Sequence, residues 1–349
     1  MGNITLQIKT VPFHSPSYHI LLYGINDIGP KLDDFLTKNK MYPILADENG
    51  NLPMICLSKI KSVINSEINL KEILEKDALI GVSELSNALR FVDQNTLQPH
   101  YELILINLKK HDPEIILGTI NLVVHMLRIR GFKFITPLIL SKPFYKFFEN
   151  PGKVMIANYE DVGLTNLDTK NVMLTCEDCE WVYDNLPWFF NQIISKNNSD
   201  FQLPLEMLYA SIFSNSERAK LASLWIGIES LIKTNDSEIG KTMKKSLKLF
   251  GGISGNKAKD YWGDSLGRCK VIHGVVSETK SLLQLEERVN EVRDVFCTML
   301  QYFIKNEIIP NRENIYNILS KEILDEKNSE ICPNCDSQLI CLKCSSGLN

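Results

Sequence analysis

From residue 181 onward the chain is written almost entirely in helical periodicity, and that run limits the fold more than any other feature. Apolar residues recur at three- and four-residue spacing over 181–196, 202–214, 216–233, 238–250, 257–273 and 282–306. The connections between these stretches are short and polar, among them "KNNSD", "KTNDS" and "GGISGN". Short connections make consecutive helices neighbours that bury their apolar stripes on one another, which is the layout of a bundle. A more polar helical stretch follows at 312–327, and the chain then runs into "CPNCDSQLICLKC".

The first 170 residues alternate instead. "ITLQIKTV" and "YHILLYG" read as strands, and "MYPILADENGNLPMICL" reads as a hairpin around Asn49-Gly50, a dipeptide that tolerates the positive φ of a tight turn. "YELILINL", a helix opening near Asp112-Pro113, and "FKFITPLIL" predict a β-α-β unit. The expected class is therefore α+β: an α/β domain over 1–175, an all-α bundle over 180–308, and a polar helix with a short zinc-binding tail over 309–349. The N-terminal half contains neither a phosphate-binding glycine loop nor a nucleophile elbow, so its role is not readable from these motifs; a sensing or partner-binding domain is the expectation.

A formal net charge of −4 does not announce a nucleic-acid partner for the whole molecule. Residues 1–170 hold 18 basic and 18 acidic side chains, whereas residues 215–273 hold 11 basic against 6 acidic, a local excess of five positive charges. "MGNITLQIKT" lacks the basic start and long apolar run of a signal peptide, and Leu6 stands where myristoylation requires Ser or Thr. The apolar stretch "IILGTINLVVHML" is too short for a bilayer and contains His125. A soluble cytoplasmic protein without a membrane partner is expected. Six of the nine cysteines form three Cys-x-x-Cys pairs, a spacing that in the cytosol favours metal or redox chemistry over structural bridges.

The positive window contains "LGRCKVIHGVV". On one continuous helix Leu266, Cys269, Ile272 and Val276 fall within about 80° of Trp262, and His273 about 20° from it. Arg268 then lies about 140° from His273, on the flank. This pattern fits a core histidine beside a surface cation. It also fits a proton-shuttling group, because Gly274 predicts a left-handed helix end and the C-terminal dipole favours protonated histidine. Gly263 and Gly267, read as interior to the same helix, would each cost ~1 kcal/mol and point to a close backbone approach, such as a second protomer. In "SERAKLASLWIGIESLIK", Glu229 lies about 40° from Trp225 on the apolar side and needs a cation or donor. Arg268, Arg218 and His273 are the candidates, and an ion pair that orients Arg268 is one reading. Lys241, Lys244, Lys245 and Lys248 share one helix face, which either tracks a nucleic-acid backbone or is simply solvated.

"LASLWIGIESLIK" followed some forty residues later by "LGRCKVIHG" resembles the HEPN superfamily, in particular its Apea-like branch, over roughly residues 180–306. The resemblance rests on Arg268, four intervening residues, His273 and the following Gly274, with Glu229 matching the acidic residue of the earlier helix. It implies a metal-independent endoribonuclease whose Arg/His motifs meet across a homodimer, serving antiviral defence or acting as a toxin with an antitoxin or trigger protein. By the same resemblance His273 is acid or base for attack by the ribose 2′-hydroxyl, and Arg268 stabilises the charged phosphorane-like state. Lys270 and the four lysines at 241–248 would contact the RNA. Cys269 departs from the polar residue that commonly follows the Arg in active members. Some members are catalytically silent, so a dimerisation or binding module is the alternative.

In the tail, Cys332-x2-Cys335-x5-Cys341-x2-Cys344 matches a tetrahedral structural zinc site. Four thiolates close the coordination sphere, so Zn2+ there serves stability or partner contact, and catalysis takes no cofactor. Cys176 and Cys179 form a further pair, read as two buried thiols before a helix or as partners of a tail pair.

Overall fold

The computed structural model describes residues 17–25, 27–45, 53–60, 100–106, 112–136, 138–143, 156–158, 173–196, 198–232, 239–263, 267–272 and 282–329. The chain divides into two compact units, Met1–Asn198 with Tyr209–Lys220, and Ser199–Leu208 with Leu221–Asn349.

The first unit carries a sheet of strands β1 (Ser17–Leu22), β2 (Met41–Leu45), β3 (Met54–Lys59), β4 (Tyr101–Ile106), β5 (Leu138–Leu140) and β6 (Ile156–Asn158), in the order β2-β3-β4-β1-β5-β6. Each neighbouring pair is antiparallel. The two strands of the expected hairpin, β2 and β3, pair antiparallel with a register shift between Pro43 and Leu45, while Asn49-Gly50 lies outside the described residues. Proline cannot donate to a ladder, and β2 lies at the sheet edge, where that costs least. The expected β-α-β unit is β4, helix α2 (Pro113–Ile129) and β5. It is split: β4 and β5 are each antiparallel to β1, which lies between them. The α/β reading of this half is therefore corrected to an antiparallel sheet with helices.

Local chemistry explains where the helices begin and end. Helix α1 (Pro30–Asn39) and α2 both start on a proline, whose fixed φ suits the first helical position. Chain reversal after α2 uses Gly131 at φ 97°. Helix α3 (Cys176–Phe190) opens on a reciprocal capping box between Thr175 and Asp178. Asp178 also accepts from Arg130 Nε at 2.8 Å, so the cap is tied to the end of α2. This places α3 in the sheet-bearing unit rather than in the bundle, and it starts five residues before the stretch beginning at 181. Arg128, 1% exposed, donates Nη2–H to the Phe134 carbonyl at 3.0 Å and lies over the rings of Phe134, Tyr209 and Phe213.

Beyond the π-helical turn Asn191–Ser195, the helices are α4 (Gln202–Phe213), α5 (Glu217–Ile232), α6 (Ile239–Leu249), α7 (Gly255–Gly263), α8 (Arg268–Ile272), α9 (Leu282–Lys305) and α10 (Arg312–Ser329). Leu224, Trp225, Ile228 and Leu231 of α5 are fully buried, as are Val292, Phe296, Met299 and Phe303 of α9. Phe250, just after α6, meets the rings of Tyr302 and Phe303 at 5.0 and 4.9 Å between centroids. Gly227 in α5 makes room for a buried ring: a Cβ there would stand 2.5 Å from Phe296 Cζ and 3.1 Å from Met207 Cβ.

The single helix expected over 257–273 is two helices, α7 and α8. Gly263 ends the first, and Gly267 precedes the second with its carbonyl accepting from Lys270 and Val271, both at 3.1 Å. Glycine is poor inside a helix and permissive at its ends, so the two glycines flank the break. Neither glycine is therefore interior to one long helix, and the residues of α7 and α8 do not share a single helical wheel. Val271, which that wheel sets about 180° from Trp262, is buried.

Among the described residues, no helix is long and apolar enough to cross a membrane.

Two stability predictions follow from this packing. His125 Nδ1 is shielded from solvent without a hydrogen-bond partner among the described residues. Burial, aided by Arg128, lowers its pKa from 6.5 to about 3. The folded pKa lies below the unfolded one, so the contribution is present above pH 6.5 and is lost as pH falls toward 3. Between pH 7 and pH 5 this amounts to about 2 kcal/mol by linkage. In denaturant melts at the two pH values, His125→Leu should lose that much less than wild type. Gly227→Ala should destabilise by about 1–3 kcal/mol, because Phe296 has no room to retreat; equal melting midpoints for the variant and wild type would refute the close approach.

Candidate functional site

The second unit brings together two of the three predicted catalytic residues. Glu229 lies in the last turn of α5 and Arg268 is the first residue of α8. Arg268 Nε donates to Glu229 Oε1, closing an ion pair whose side chains are 14% and 24% exposed respectively. At that cover both groups have lost most of their water, so each needs the other. Of the three partners expected for Glu229, the structure supplies Arg268, while Arg218 is exposed. His273 lies outside the described residues, one position beyond Ile272, the last residue of α8.

Gly267, itself buried, directly precedes α8, and Arg268 meets α5 through Glu229. Lys270, two residues further, is exposed. On α6, Met243, Ser246 and Leu247 are buried, while Lys241 and Lys248 are exposed and Lys244 and Lys245 partly so. The four lysines thus occupy the side of α6 turned from the core, as the spacing predicts.

The expected zinc ligands Cys332, Cys335, Cys341 and Cys344 lie outside the described residues, and no group of three or more potential ligands occurs among the described ones. Cys176 and Cys179 are free thiols in the first turn of α3 rather than before it. Burial raises the Cys179 thiol far above its usual range, reinforced by the Asp178 carboxylate, and burial also raises Cys176. Both remain protonated near neutral pH, which disfavours nucleophilic use.

A second polar cluster escaped the sequence reading. His19 and Glu102, 3% and 5% exposed, pair Nδ1 to Oε2 at 3.2 Å in the middle of the sheet, and Ser17 Oγ lies 3.3 Å from His19 Nε2. The readable signal was Glu102, a lone carboxylate in the apolar strand "YELILI".

No protein-family model, curated protein or solved structure matches the chain.

Removing the carboxylate alone takes from a poorly hydrated guanidinium the opposite charge that Glu229 supplies. Glu229→Ala should therefore cost about 2 kcal/mol in chemical denaturation, the range of a hydrogen bond to a charged group. The double variant Glu229→Ala/Arg268→Ala should recover part of that loss, and strictly additive losses would show that the pair contributes nothing.

Proposed function

We propose that the second unit is a metal-independent endoribonuclease of the HEPN type, acting as a homodimer on RNA. The observation that carries this reading is the Glu229–Arg268 ion pair. It joins the two segments on which the resemblance rests, and it aims the guanidinium with a carboxylate that has itself lost most of its water. Arg268 is then a preorganised cation for the charge that develops on a phosphodiester in its transition state. His273 serves as acid or base. The ribose 2′-hydroxyl gives up its proton and its oxygen bonds to phosphorus; the bond to the 5′-oxygen breaks, and that oxygen is protonated. The products are a cyclic 2′,3′-phosphate and a free 5′-hydroxyl. Glu229 is a positioning residue on this reading.

Lys241, Lys244, Lys245, Lys248 and Lys270 offer a non-specific charge track for the RNA backbone. Zinc on Cys332, Cys335, Cys341 and Cys344 belongs to the same proposal as a closed structural centre, away from the chemistry. The biological role in view is antiviral defence or a toxin held by an antitoxin or trigger protein.

The test is cleavage of total cellular RNA in EDTA by wild type, Arg268→Ala and His273→Ala. Wild type alone should cut, leaving cyclic phosphate ends, with each variant reduced by at least about 10²-fold. Inert, folded and dimeric wild type, also when supplied with lysate of infected cells as a trigger source, would replace the enzyme with a silent dimerisation module.

A further inference from the structure

We propose that Ser17, His19 and Glu102 form a nucleophile–base–carboxylate relay, an acyl-transfer site in the sheet-bearing unit that does not depend on the RNA-cleaving reading of the other unit. Side chains alternate along a strand, so Ser17 and His19, two apart in β1, share one face of the sheet. The register sets Leu21 opposite Glu102 and His19 opposite Ile104, which puts Glu102 on the same face, diagonal to the histidine. Ser17 Oγ and His19 Nε2 are 3.3 Å apart, and His19 Nδ1 and Glu102 Oε2 are 3.2 Å apart.

For a neutral imidazole the chemistry of the groups sets the direction of both hydrogen bonds. A carboxylate only accepts, so Nδ1–H donates to Glu102. The remaining lone pair sits on Nε2 and faces the Ser17 hydroxyl, which donates to it. This is the arrangement in which an oriented imidazole removes a proton from a hydroxyl nucleophile, recognised by geometry and not by chain order. Exposure follows the same logic: histidine and carboxylate are under cover, while Ser17, the first residue of β1, is only partly buried.

A purely structural role for Glu102 would be met by any donor. Ser58 stands directly across from it on β3, yet its hydroxyl donates to the Lys40 carbonyl at 3.2 Å. The carboxylate is given to the imidazole instead, where it holds one tautomer in place.

The substrate class is an ester of a small acyl group, since only a slim group reaches a partly covered strand residue. Ser17 Oγ bonds to the carbonyl carbon as its proton passes to His19 Nε2. The bond to the alcohol oxygen then breaks and that oxygen takes the proton from Nε2, leaving an acyl-serine. Water repeats the sequence, releasing the acid and restoring Ser17.

The test uses the full chain and a fluorophosphonate probe, whose phosphorus takes the place of the acyl carbon: the Oγ–P bond forms, fluoride leaves, and the proton goes to His19. Peptide mass mapping should place the adduct on wild-type Ser17. Ser17→Ala should show none, Ser58→Ala should label at the wild-type rate, and His19→Gln should label at least about 10²-fold more slowly. An unactivated serine does not react with the probe, so the wild-type adduct carries the result if His19→Gln does not fold. Absence of an adduct on folded wild type, an adduct that persists in Ser17→Ala, or wild-type labelling by folded His19→Gln would overturn the proposal.

Discussion

A charged side chain that has given up its water must find its opposite, and in the second unit Glu229 and Arg268 meet that constraint for each other. The pair connects α5, whose Leu224, Trp225, Ile228 and Leu231 are fully buried, to α8. Two tertiary contacts join α8 to its surroundings: Val271 in the core and the Arg268 guanidinium on the α5 carboxylate. The candidate chemistry depends on the same contact, because an arginine free to swing in water would stabilise a developing phosphorane far less than one already aimed.

In the first unit, several covered polar groups are partnered by a wider range of means. Arg128 has its Phe134 carbonyl and three aromatic rings, a setting that suits the weakly hydrated, planar guanidinium better than it would an ammonium. Arg130 and Asp178 tie the end of α2 to the first turn of α3, with Thr175 and Asp178 capping each other. His19 and Glu102 sit beneath the sheet surface with Ser17 at the outer end of the chain of contacts. In each case a charged or polar group in an apolar setting marks where the fold is most specific, since leaving any partner out would strand the other.

Much of this was legible in the sequence. The hairpin of β2 and β3, the prolines opening α1 and α2, and the helices from 202 onward all follow from turn chemistry and periodicity. The lysine face of α6 and the need of Glu229 for a cation were equally plain. The break between α7 and α8 was not. Two glycines inside an apolar run read as an interior penalty, when they were the ends of two helices. Nor could the interposition of β1 between β4 and β5 be read, because strand order is decided by pairings between residues far apart in the chain. The Ser17–His19–Glu102 cluster was hidden for the same reason: 83 positions separate its histidine from its carboxylate.

By itself, then, the sequence determined the local elements, their caps and the charges that had to be paired, since periodicity, proline and glycine act over one or two turns of chain. Only the tertiary structure decided which cation Glu229 would take, where the long apolar run would break, and which face of the sheet would collect a serine, a histidine and a carboxylate. Those outcomes depend on through-space distances and on the cost of burying an unpaired group. Neither quantity exists until the elements have packed.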